Sequence, residues 1–121
     1  EETNQLRNHI PMIWTGGAIK KTRRVNQICN QSDLPATLLG QLGIKHHEFT
    51  FSRDVMSSNY VYPFAVHTYS DGISTVDITG FTVYDLNSKK AIVGVPSHNQ
   101  HREDLGKAVL QTAGKDLKNR K

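Results

Sequence analysis

A chain of 121 residues suits one domain, and that size buries about two-thirds of the surface its unfolded form exposes without a disulfide or metal staple. A hydrophobic content of 36%, a mean hydropathy of −0.51 and the lack of any apolar run near the roughly 18 residues that span a bilayer exclude a transmembrane segment. The net charge of +4 permits weak attraction to anionic partners, and the lone Cys29 excludes an internal disulfide, a cysteine-rich zinc site and a thioredoxin-type pair.

The sequence opens Glu1-Glu2-Thr3 without an initiator methionine, which favours a processed exported protein, periplasmic or secreted, over an excised piece. Residues 1–15 hold Ile10, Met12, Ile13 and Trp14 beside Pro11, the makings of an edge strand or of an arm that packs on a partner. Between Gly16-Gly17 and Asn30, the positions Ala18, Thr22, Val25 and Cys29 make a narrow helical stripe, with Lys20, Lys21, Arg23 and Arg24 crowding the remaining surface.

Ser32 or Asp33 caps an expected short helix that accepts Pro35 in its first turn, carries Leu38, Leu39 and Leu42, and ends at Gly43. Ile44 to Ser52 reads as a strand with Phe49 and Phe51 on one face. Three further strand-like runs follow, Tyr60–Tyr69, Ile73–Asp85 and Ala91–Val95, separated by the turn clusters Ser70-Asp71-Gly72 and Asn87-Ser88-Lys89. A three-residue loop with Gly72 left-handed sets Val66 against Val76 and Phe64 against Ile78, a register that keeps apolar groups together. The apolar phase then switches from Val76 and Ile78 to Phe81 and Val83, which a bulge or bend at Gly80 accommodates. Ser97 and Gln100 have the form of a capping box, and Leu105, Ala108, Val109, Ala113 and Leu117 mark one face of a helix from about His98 to Leu117.

The pattern predicts a single α+β domain: an antiparallel sheet of four or five strands with helices packed on one face. Phe64, Val66, Val76, Ile78, Phe81, Val83 and Val93 are the expected inner face, under the C-terminal helix and the Leu38/Leu42 helix. His67 and Asp77 are expected together on the other face.

Chemistry-bearing patterns are incomplete. No nucleophile elbow, phosphate loop or dinucleotide fingerprint occurs, so no catalytic residue, metal or cofactor is assigned. His98 and His101 start a metal site without completing one, since zinc takes three or four protein ligands. Candidate binding residues are Lys20, Lys21, Arg23 and Arg24, able to meet phosphates or an anionic surface, together with Tyr69 and Tyr84 as rigid amphipathic contacts. No nucleic-acid-binding signature accompanies the cations, and no aromatic residues interleave with them. The sequence therefore points first to a non-catalytic protein-interaction or assembly domain, with a cell envelope as its suggested setting. Two alternatives stay open: binding of nucleic acid or anionic lipid by the basic segment, and a small enzyme or metal-binding protein using the histidines.

Overall fold

The computed structural model describes residues 4–120. In chain order it contains a 3-10 turn at Gln5–Asn8, a second at Gln31–Asp33 leading into helix α1 (Leu34–Gln41), strands β1 (Phe64–Tyr69), β2 (Gly72–Asp77), β3 (Gly80–Asp85) and β4 (Lys90–Val95), and helix α2 (Gln100–Asn119). The strands form one antiparallel sheet in the order β1-β2-β3-β4, and α2 packs across β2 and β3. The chain is thus α+β, as expected, and among the described residues no helix is long and apolar enough to cross a membrane.

The first hairpin has a different register from the expected one. Tyr69 pairs with Gly72, Val66 with Thr75 and Phe64 with Asp77, so the loop is Ser70-Asp71 alone and Val66 does not meet Val76. Gly72 is not left-handed. It is there for clearance, because a Cβ would run into the Tyr69 hydroxyl and the Tyr84 carbonyl.

The run Ile73–Asp85, expected as one bent strand, is two. Ile78-Thr79 is a tight turn, and Gly80 at φ +138° supplies a backbone conformation that side chains with a Cβ rarely adopt. The inversion of apolar phase at Gly80 therefore comes from a chain reversal, with Ile78 at its tip and 77% exposed. The sheet's irregularity lies elsewhere: Val93 pairs with Val83 and Ala91 with Tyr84, which leaves Ile92 as the extra residue of a bulge.

Directly opposed residues share a face, so these registers line up Val66, Thr75 and Thr82, flanked by Ile73 with Tyr84 and by Asp77. This is the face under α2. Gly106 sits against Thr75 and Ile73, Arg102 reaches Thr82, and Lys107 lies over the Tyr84 ring. Val76, Phe81, Val83 and Val93 project from the opposite face, so the expected inner face is corrected, and His67 and Asp77 stand on opposite sides of the sheet. A one-residue slip has this effect because side chains alternate with period two.

The cap of α2 is Asn99, not Ser97, and its side chain accepts from the amides of His101 and Arg102. Arg102 and Gly106 form the buried stripe, whereas Ala108, Ala113 and Leu117 are exposed. Helix α1 buries Ala36 and Thr37 and leaves Leu38 and Leu42 exposed. It is tied to residues 52–55 instead of covering the sheet: Ala36 N donates to Ser52 Oγ, and Thr37 Oγ1 accepts from Val55 N.

Two expected elements do not form. Residues 18–30 are irregular, and 44–52 contain turns but no strand. A helix over 18–29 would place Lys20 at i,i+3 and i,i+4 from Arg23 and Arg24, like-charge pairs that its thin apolar stripe does not offset. Of the two forms expected at the N-terminus, an edge strand or an arm, the strand is absent from residues 4–15; residues 1–3 of that expectation lie outside the described part.

Candidate functional site

The basic cluster lies in open chain, not on a helix, and Lys20, Lys21, Arg23 and Arg24 are all exposed. Their internal partners are few. Lys20 Nζ donates to the Gly17 carbonyl at 2.9 Å and Arg24 Nε to Asn26 Oδ1 at 3.0 Å. Among the described residues no carboxylate is within ion-pair distance of any of the four, whereas Arg53, Arg102 and Arg120 each have one. The sequence explains this: from Thr3 to Ser32 it holds five Lys or Arg residues and no Asp or Glu. Just upstream, Ile10, Met12 and Ile13 are 56%, 57% and 81% exposed.

The two arginines line a groove of about 230 Å³. Arg23, Arg24, Asn26 and Gln27 form one side of it, and Val55, Met56 and Ser57 the other.

Both walls are anchored nearby by a polar knot. The Asn30 side chain accepts from Val66 N (2.9 Å) and donates to Val66 O (2.7 Å), so it occupies the outer edge of β1 as a neighbouring strand would. The Tyr60 hydroxyl donates to Ile28 O at 2.7 Å. Asp33, 1% exposed, takes Nε (3.0 Å) and Nη2 (2.6 Å) of Arg53 in a two-pronged ion pair and also accepts the amides of Asn30 and Arg53. The Arg53 guanidinium lies 3.8 Å from the Phe64 ring centre and 5.0 Å from that of Tyr60. Segments 28–33 and 52–60 are thereby fastened to β1.

A second buried network lies under α2. Arg102 donates to Thr82 Oγ1 (2.9 Å), Thr79 Oγ1 (2.5 Å) and the Ser97 carbonyl (2.6 Å), with Asp77 Oδ1 at 3.6 Å. Asp77 accepts the Tyr62 hydroxyl at 2.7 Å and both the amide and hydroxyl of Thr79. Every polar end of this cluster is engaged inside the protein, which is the arrangement of a structural clamp.

The two sequence-nominated tyrosines are not brought to the basic segment. Tyr84 is buried beneath α2 with Lys107 Nζ 4.3 Å above its ring, and Tyr69 lies half-buried over Gly72 on the other face. His98 Nε2 is 2.9 Å from Glu103 Oε2, and the His101 ring packs edge-on against Tyr62 at 5.2 Å. Among the described residues no group of three or more His, Cys, Asp or Glu side chains is placed to hold a metal. Burial, then the nearby Asp33 charge, pushes the Cys29 thiol up despite the opposing Arg53, away from the thiolate a nucleophile needs.

Sequence reasoning missed Arg53 and the Val55–Ser57 wall, because both lie in the stretch after Ile44 where the strand pattern misled. The available signal was the Arg53-Asp54 pair set between the aromatic Phe49 and Phe51 and the apolar Val55-Met56. Compared with protein-family models, with curated proteins and with solved structures, the chain gave no match.

Proposed function

We propose that this chain is a non-catalytic interaction domain, an assembly or accessory factor, that docks on another protein through its N-terminal arm. The observation that carries this reading is the arm's composition. Ile10, Met12 and Ile13 lie in solvent within four positions, upstream of four exposed cations that have no acidic partner among the described residues. Single exposed apolar residues are ordinary, but a cluster rimmed by charge is the surface a partner covers, at about 25 cal/mol per Å² of apolar area removed from water. A cell-envelope setting is part of the proposal.

The test uses the native chain and an Ile10→Ser/Ile13→Ser variant, both immobilised and exposed to source extract. The expected result is one stoichiometric protein retained by the native chain and lost by the variant, whose cations are intact. Equal recovery on both, or no stoichiometric protein on either, refutes the reading. The second reading, binding of nucleic acid or anionic lipid, draws on the same unpaired cations. It predicts retention of nucleic acid or vesicles that is indifferent to Ile10 and Ile13 and steeply weakened by salt.

A further inference from the structure

We infer that the groove between residues 23–27 and 55–57 receives a carboxylate of a partner polypeptide, an acidic side chain with an apolar neighbour, gripped by Arg23 and Arg24. This rests on the protein-docking reading above and gives the partner its chemistry.

Three observations converge. The first is donor supply. Arg24 uses Nε on Asn26 Oδ1, which orients its guanidinium and leaves the two Nη groups free, and Arg23 makes no hydrogen bond or ion pair among the described residues. Planar guanidinium forks match the two oxygens of a carboxylate, and the neighbouring amides of Asn26 and Gln27 add neutral donors. The second is the field. Residues 3–32 carry five cationic and no acidic side chains, and Asp54, which precedes the opposite wall, accepts the Met56 amide and has His46 Nε2 at 4.0 Å and neither arginine within ion-pair distance.

The third observation selects the ligand. Guanidinium also binds phosphate, but a single-stranded nucleic acid needs aromatic rings on which its bases stack, and this groove has none. Its opposite wall is Met56 and Ser57 with the largely buried Val55 beside them, and Met56 suits a short aliphatic side chain next to a carboxylate. Lys20 and Lys21, which would extend a phosphate track, are outside the lining. The chain flanking each wall is also held in place, by Tyr60 on Ile28 on one side and by the Arg53–Asp33 ion pair on the other. Such anchoring lowers the ordering cost of binding.

The probes are a fluorescein-labelled peptide alternating Glu and Leu, its Gln-for-Glu counterpart and a labelled oligothymidylate strand, each titrated by fluorescence anisotropy against the whole chain. Two variants remove equal charge: Arg23→Gln/Arg24→Gln and Lys20→Gln/Lys21→Gln. All four side chains are exposed, so circular dichroism spectra should coincide. The acidic peptide should bind at least about tenfold more tightly than its Gln counterpart, and the arginine variant should lose at least about tenfold while the lysine variant keeps affinity within about threefold.

Equal losses in the two variants would reduce the site to general charge and overturn the proposal. So would tighter binding of oligothymidylate than of acidic peptide, or no peptide binding at all. If the peptide fails while the native chain still captures a protein through Ile10 and Ile13, the groove proposal falls and the docking reading stands. If the peptide binds as expected and no protein is captured, the docking reading through the arm falls and the groove stands.

Discussion

Replacing Arg102 by Met tests whether a buried charge, and not an apolar seam, fastens α2 to the sheet. Arg102 is 1% exposed, and the substitution removes its three hydrogen bonds to Thr82, Thr79 and Ser97 together with the charge facing Asp77. Removing one member of a buried ion pair costs about 3–5 kcal/mol, chiefly because the other charge stays buried. Here the lower end applies, since Asp77 keeps the Tyr62 hydroxyl and both Thr79 donors. A loss of about 3 kcal/mol is a large part of the 5–15 kcal/mol typical of a domain and lowers Tm by about 10–15 °C at this size. Urea denaturation followed by circular dichroism reads it directly. Adding Asp77→Asn should recover part of the loss, giving a coupling of about 1–2 kcal/mol in the double-mutant cycle.

The pH dependence carries the same signature. Burial alone would raise the Asp77 pKa, but hydrogen bonds from Thr79 and Tyr62 and the Arg102 charge outweigh it and hold the carboxyl below its ordinary 3.8. A depressed folded-state pKa contributes stability that is present above the unfolded value and lost as pH falls through the folded one. Without Arg102 the depression shrinks, so acid unfolding of the variant should begin at higher pH than in the native chain. A loss under about 1 kcal/mol, or zero coupling with Asp77→Asn, would refute the clamp.

Two glycines of α2 should respond to alanine with opposite signs. At Gly106 an added Cβ would lie 2.6 Å from Thr75 Oγ1 and 3.2 Å from Ile73 Cγ2, so the helix must lift and Tm should fall, whereas at Gly114 nothing is within 4 Å and the gain in helix propensity, up to about 1 kcal/mol, should raise it; shifts of the same sign would misplace the packed face. Among the four tyrosines, Tyr60 and Tyr62 are pushed up to about 12, both mainly by burial, with Tyr62 further raised by its hydrogen bond to Asp77. A raised folded-state pKa contributes stability that is complete below the unfolded value near 10 and is lost as pH climbs towards 12, so alkaline unfolding should fall in that window. Tyrosinate absorbance should show Tyr60 and Tyr62 ionising late, and a single transition of all four near pH 10 in folded protein would contradict this.

The amino-acid sequence by itself determined the α+β class, the C-terminal helix, the short helix after Asp33 and the strands around Val66 and Val93, and it marked Ile73–Asp85 as extended without its reversal at Ile78-Thr79. Each is a local signal: turn residues at Ser70-Asp71 and Asn87-Ser88, β-branched runs between them, and a helical period after Asn99. It also marked the cations at 20–24, since charge is a property of composition. Register and facing were decided only in three dimensions. Asp77 was expected on the face away from the helices, yet it lies with Thr75 and Thr82 on the face that α2 covers, because α2 brings Gly106 and Arg102, not a leucine stripe, to the sheet. The Asp33–Arg53 and Asp77–Arg102 pairs join residues 20 and 25 positions apart, and the groove joins Arg23 to Met56. Periodicity reports which way a side chain points along its own segment; which charge meets which, and which face is covered, depends on the packing of distant segments whose burial must be compensated together.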